Sequence, residues 1–188
     1  MDLVHSAGKS TAAFYNWEHL RDLSLPGSLD ASFFRKNCHQ SQGDMEIADG
    51  AAGYLSDRPT DFAFIYLGYT DMAGHDYGWM TDSHLEAVKN ADAGIGKVID
   101  ASGATRLLDH SFLLVTSDHG GHEKTHGTNM PEDMIVPWIV SGPGVSSGLS
   151  ITDSLSITYT APTIAALLKI DPPEEWTGRV IEEALPYA

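Results

Sequence analysis

Two short apolar runs, each breaking off into a cluster of carboxylates and imidazoles, constrain this chain more than any other feature. Asp61-Phe-Ala-Phe-Ile-Tyr-Leu67 and Ser111-Phe-Leu-Leu-Val-Thr116 are almost continuous in apolar, β-forming residues, the pattern of strands buried on both faces of a parallel sheet. Behind them stand Asp71-Met-Ala-Gly-His75 and Thr116-Ser-Asp118-His119-Gly-Gly-His122-Glu-Lys-Thr-His126-Gly. Open α/β sheets gather ligands in the crevice beyond the carboxyl ends of their strands, so segments far apart in sequence can supply one site.

The rest of the chain alternates in the same way. Thr11 to Asn16 is predicted as a strand, Trp17 to Leu23 as a short helix, and Pro26-Gly27 as a turn. Met45, Ala48, Ala52 and Leu55 recur at helical spacing within a predicted helix from Asp44 to Leu55. After strand 61–67 the polar segment through Gly78 reads as a loop. The strongest helix signal follows, capped by Thr81 or Asp82 and running to about residue 101, with Leu85, Val88, Ile95, Val98 and Ile99 as its buried face. Met134 to Val140 is predicted as a strand in which Pro137 calls for an edge or bulge. A last helix is expected from Ala161 or Pro162 to Leu168, then an irregular stretch around Pro172 to Gly178 and a short acidic helix. At 188 residues and 42% hydrophobic content, the chain suits one domain over 1–188.

Charge and cysteine usage narrow the partners. A formal charge of −15 leaves no Lys/Arg stripe to replace counterions along a nucleic-acid polymer. A small phosphate-ester substrate remains compatible if bound metals supply the local positive charge. No apolar run approaches a membrane span. Cys38 alone excludes an intrachain disulfide framework, and the amino end lacks a secretory pattern, so a cytoplasmic setting is expected.

The polar clusters carry the chemistry. Asp118 and His119 follow a strand directly, and ionisable side chains at a buried strand end call for something to satisfy them. Gly68 and Gly74 permit tight backbone paths near Asp71 and His75, and Gly120-Gly121 can fold His126 back over the same crevice. Asp71, His75, Asp118, His119 and His126 together offer more ligands than one tetrahedral zinc takes, so two adjacent divalent metals are the economical reading. His122 is a candidate for substrate contact or for supporting a ligand, and Lys124 for a phosphate oxygen. Trp17, Tyr69, Tyr77 and Trp79 are candidates either for lining a pocket or for ordinary packing, and His84 for a structural role. Ala7-Gly8-Lys9-Ser10-Thr11 lacks the first glycine of a phosphate-binding loop, Leu3 standing in its place, and reads as a turn into a strand.

Asp71-x-x-x-His75, Ser117-Asp118-His119-Gly120, His126-Gly127 and Val136-Pro137-Trp-Ile-Val-Ser-Gly142-Pro-Gly, in that order, resemble the alkaline phosphatase superfamily, most closely its nucleotide pyrophosphatase and type I phosphodiesterase branch. The resemblance implies a three-layer αβα sandwich with a mostly parallel sheet. It also implies two metals, most often Zn²⁺ with Mn²⁺ as the alternative: one held by Asp71, His75 and His126, the other by Asp118 and His119 together with an early Asp and a Ser or Thr nucleophile. Neither of these last two has a counterpart here, so no catalytic nucleophile is assigned. The chain is therefore expected to be the carboxy-terminal part of the family fold, with one metal site incomplete and an open sheet edge that a homodimer would cover.

The implied function is metal-dependent hydrolysis of a phosphodiester or nucleotide pyrophosphate, weak or absent in this chain alone. The alternatives are a non-catalytic metal- or ligand-binding protein, and sulfatase or phosphosugar mutase chemistry on the same scaffold.

Overall fold

A computed structural model describes residues 1–185. The chain forms two compact units, one of residues 1–107 and 119–136, the other of residues 108–118 and the described residues from 137 onward. No helix among the described residues is long and apolar enough to cross a membrane.

The first unit is built on a three-stranded parallel sheet. A short helix α1 (Asp2–Ser6) leads into β1 (Thr11–Tyr15), which lies between β2 (Ala31–Phe34) and β3 (Phe62–Ile65). Ala12 pairs with Ala31 on one side and Ala63 on the other. All five residues of β1 are buried, as a central strand covered on both faces requires. Helices α2 (Ser41–Asp57) and α4 (Asp82–Ala104) pack against each other, and Ala12, Phe14, Ile47, Ala51, Leu55 and Val98 form the shared core. This is the expected α/β, alkaline-phosphatase-like class.

Several expectations shift in detail. The short helix after β1 is a 3-10 helix over Glu18–Leu23, and β2 was not foreseen. Thr81 does cap α4, its Oγ1 accepting from the His84 N–H at 3.4 Å, but the buried face is turned from the expected one. Val98 is buried, whereas Leu85 and Val88 are 38% and 44% exposed and His84, Ala87 and Gly94 face inward. The reason is close packing on α2: a Cβ on Gly94 would stand 3.3 Å from the Ala48 Cβ, a spacing that favours small residues over Leu and Val.

In the second unit, β4 (Leu113–Thr116) pairs with β5 (Trp138–Ser141) antiparallel, not parallel as its apolar run suggested. Hydrophobicity reports that a strand is covered but not the direction of its partner. Here the chain between the two strands reverses, and Leu113 meets Ser141 while Thr116 meets Trp138. The expected strand from Met134 is shorter: Pro131–Met134 forms the helical turn α5, and Pro137 stands just before β5, its carbonyl accepting from Thr116 Oγ1 at 2.9 Å. The last helix, α6, spans Thr160–Leu167, and Glu182–Ala184 is a single 3-10 turn.

Candidate metal centre

The polar segment after β3 is a helix, α3 (Tyr69–Tyr77), and not a loop. Asp71 and His75 lie four residues apart on it, which sets both side chains on one face. No local cap starts this helix. Instead Asp44 reaches across from α2, and its Oδ1 accepts from the Tyr69 N–H at 3.1 Å and from Asn16 Nδ2 at 2.8 Å. Asn16, at the end of β1, in turn accepts from the Gly68 N–H at 3.0 Å. Gly68 is obligatory in this corner, because a Cβ would stand 2.8 Å from both Asn16 Oδ1 and Tyr66 Cε1. A negative side chain at a helix N-terminus is favourable, and here it orients the helix that carries two candidate ligands.

The second cluster returns over α3. Gly120 and Gly121 donate their N–H groups to the Asp133 and Glu132 carbonyls, both at 2.8 Å, and His122 and Thr125 exchange backbone bonds. The result is a tight loop that delivers His119 and His126 to Asp71. His75 Nε2 lies 3.5 Å from Asp71 Oδ1, and His119 Nε2 and His126 Nε2 each lie 3.8 Å from it. The His119 and His126 rings stack with centroids 3.8 Å apart. Asp71, His75 and His126 bring ligand atoms within 4.8 Å of one another.

Three features suit this set to a metal. Asp71 Oδ1 is buried and has no hydrogen-bond partner, an arrangement that costs energy unless a cation satisfies the oxygen. Ligands about 2.1 Å from a tetrahedral zinc lie ~3.4 Å apart, close to the separations around Asp71. The tautomers are also determined: His75 Nδ1 is 3.0 Å from the Lys124 carbonyl and His119 Nδ1 is 2.7 Å from the Gly120 carbonyl. A carbonyl can only accept, so each Nδ1 carries a proton and Nε2 is the ring atom that each histidine presents to Asp71. Backbone support of this kind is the usual orienting device behind a metal-bound histidine.

His119, which the family resemblance gives to the second metal, thus stands beside the first set, within reach of the same Asp71 oxygen. Asp118 lies two residues past the end of β4, in the other unit, and is exposed. His122 is drawn to Asp133: its Nδ1 is 2.7 Å from Asp133 Oδ1, and Asp133 Oδ2 accepts from the N–H and the hydroxyl of Thr128, each at 2.8 Å. The hydrogen bond from His122 holds the Asp133 carboxyl down at about 2, and the carboxylate in turn raises the His122 pKa. His122 therefore braces the loop. Lys124 donates to the Asp76 carbonyl at 2.6 Å. His84 is buried, which lowers its pKa, and its Nδ1 accepts from the Met80 N–H at 3.4 Å. Burial raises the Cys38 thiol, with the Asp44 and Asp71 charges adding to the effect.

Sequence reading missed Asp44 and Asn16, because a cap supplied from another element leaves no local motif. It also missed Asp133, whose partner His122 is the only nearby signal. Ser10 and Thr11 are otherwise engaged: Ser10 Oγ bonds Asp61 Oδ2 at 2.8 Å and Thr11 Oγ1 bonds the Ser28 carbonyl at 2.6 Å. Both stand at the start of β1, the end of the sheet away from α3.

Comparison with known proteins places the chain in a family. The chain is 28% identical over 164 residues to a 2,3-bisphosphoglycerate-independent phosphoglycerate mutase of Rhodopirellula baltica, covering 84% of this chain and 28% of the relative. It is 29% identical over 140 residues to the protein of the same name from Clostridioides difficile, and 31% identical over 141 residues to that of Gloeobacter violaceus, each match covering 71% of this chain and 26% of the relative. The chain thus spans about a quarter of the length of these curated relatives. The family profile of type I phosphodiesterase / nucleotide pyrophosphatase matches residues 6–135, a stretch that holds Asp71, His75, Asp118, His119, His122 and His126. The chain belongs to the type I phosphodiesterase / nucleotide pyrophosphatase family, within the alkaline phosphatase superfamily.

Proposed function

We propose that this chain supplies the metal-binding part of a phosphoryl-transfer centre whose reaction is hydrolysis of a phosphodiester or nucleotide pyrophosphate. The observation that carries the reading is the buried, unpartnered Asp71 Oδ1 ringed by the Nε2 atoms of His75, His119 and His126. Asp71, His75 and His126 would hold one divalent cation, Zn²⁺ by the nitrogen-rich donor set or Mn²⁺ as the alternative, and His119 would contribute to a second. Such cations polarise a phosphoryl oxygen and offset the charge that develops on it.

The chain's own residues do the rest. The carbonyls of Lys124 and Gly120 keep His75 and His119 in the Nδ1-protonated tautomer. Asp44 holds α3 at its start, and the His122–Asp133 pair keeps the returning loop closed. With Ser10 and Thr11 bonded at the far end of β1, neither serves as nucleophile, and turnover by this chain alone is expected to be slow. His122 remains a candidate substrate contact through its ring.

A second reading is phosphoryl transfer on a phosphoglycerate, favoured by the names of the relatives. One experiment separates the two. The protein is purified without chelator, its metal content is measured, and it is assayed with Zn²⁺ or Mn²⁺ on a chromogenic phosphodiester and, in parallel, for interconversion of phosphoglycerate isomers. Metal-dependent release from the diester supports hydrolysis. Turnover only of phosphoglycerate favours the second reading, and a protein that binds no metal refutes both.

A further inference from the structure

We infer that Trp79 is a positioning residue of this metal centre, its indole setting the rings of His75 and His126, which arrive on different segments; the inference rests on the metal reading above. The Trp79 ring centroid lies 5.0 Å from that of His75 at an interplanar angle of 85°, and 5.8 Å from that of His126 at 72°. Both are edge-to-face contacts, the geometry that the aromatic quadrupole favours.

The backbone on both sides is shaped to this one ring. A Cβ on Gly74 would stand 2.5 Å from Trp79 Cε2, and a Cβ on Gly121 would overlap the indole. Gly74 precedes His75 on α3, and Gly121 lies in the loop that carries His126, so the indole is wedged between the two segments whose histidines must meet. A main-chain bond locks the wedge, the Trp79 N–H donating to the Glu123 carbonyl at 2.7 Å. The residues around that bond are strained: Met80 and Glu123 hold φ values of 62° and 47°, a region that non-glycine residues enter at a cost. Lys124, next to Glu123, offers its carbonyl to His75 Nδ1. The wedge, the strained turn and the support of His75 are therefore one continuous construction.

The test uses Trp79→Ala, Trp79→Phe, Gly121→Ala and the double variant Trp79→Ala/Gly121→Ala. Zn²⁺ affinity is measured by competition with a chromophoric chelator, and folding is checked by far-UV circular dichroism. Trp79→Ala should weaken zinc binding roughly 10–100-fold, the range seen when the support of a metal ligand is removed, and Trp79→Phe, which retains an aromatic edge, should recover most of that loss. Gly121→Ala should weaken binding in the otherwise unaltered protein but add nothing once Trp79 is gone, since its clash partner is then absent. Wild-type affinity in Trp79→Ala, or a Gly121→Ala effect of the same size with and without the indole, would overturn the inference while leaving the metal reading intact. If Trp79→Ala does not fold, Gly121→Ala decides alone, and unaltered zinc affinity in that variant overturns the inference. No zinc binding by the unaltered protein would overturn both.

Discussion

Asp44 is fully buried, yet only one of its oxygens is bonded: Oδ1 takes Asn16 and the Tyr69 N–H, and Oδ2 has no partner. Desolvation therefore outweighs the hydrogen bonds and pushes its pKa from 3.8 up to about 6. Below pH 3.8 the group is neutral in both folded and unfolded states. Between 3.8 and about 6 the folded state holds the proton that the unfolded state releases, so stability falls as pH rises through this window, by on the order of 3 kcal/mol. Asp44→Asn keeps an oxygen acceptor without the charge. Urea unfolding of the two proteins from pH 4 to 7 should show the variant gaining on the unaltered chain as pH rises; a constant difference between them would refute the buried-charge account. The candidate ligands were legible at this scale because Asp and His beside glycines after an apolar run leave a strong local mark. Asp44 left none, since a carboxylate in the first turn of an amphipathic helix looks like any other helix start.

At the scale of the element, α3 depends on what ends it as much as on what starts it. Gly78 follows the helix at φ 100° and ψ 141°, a conformation close to the region that only glycine occupies freely, and a Cβ there would stand 3.0 Å from the Glu123 carbonyl. Gly78→Ala should cost about 1–3 kcal/mol of stability, the usual penalty for holding a side chain in such a region, and should lower metal affinity, because the same turn places Trp79. A thermal melt unchanged from the parent protein would contradict the strain argument. α3 was invisible as a helix in the sequence for related reasons. It is nine residues long, has a central glycine, and takes its cap from Asp44 on another helix, so neither propensity nor a local capping motif marks it. The strands were legible as apolar runs, but the antiparallel pairing of β4 and β5 was not, because direction depends on the path of residues 117–137 and not on the composition of either strand. On α4 the period was legible and its phase was not. The inward face there is set by how closely Ala48 and Gly94 let two helices approach, a property of the pair.

At the scale of the molecule, the candidate ligands Asp71, His75, His119 and His126 join two stretches of the first unit that are distant in sequence, α3 and the loop of residues 119–136. A cation bound by both would act as a long-range crosslink present only in the folded state. Binding of this kind stabilises by about 2.7 kcal/mol when free metal stands at a hundred times its dissociation constant. The benefit should be local. The loop is held to itself by His122, Thr128, Gly120 and Gly121 bonding to Asp133 and Glu132. It is held to the α3 end by bonds such as Trp79 to the Glu123 carbonyl, Lys124 to the Asp76 carbonyl and His75 to the Lys124 carbonyl, and a cation would add to this second group. Removal of metal by a chelator should therefore raise amide exchange in residues 69–78 and 119–136 together. The strands β4 and β5 of the other unit, which pair with each other, should change much less. Hydrogen exchange read by mass spectrometry with and without zinc resolves these segments separately. Protection that is lost in one of the two site segments but not the other would mean that the cation does not bridge them. A loss spread equally over both units would mean that metal supports the fold globally and that the coupling of α3 to the returning loop is not its particular role.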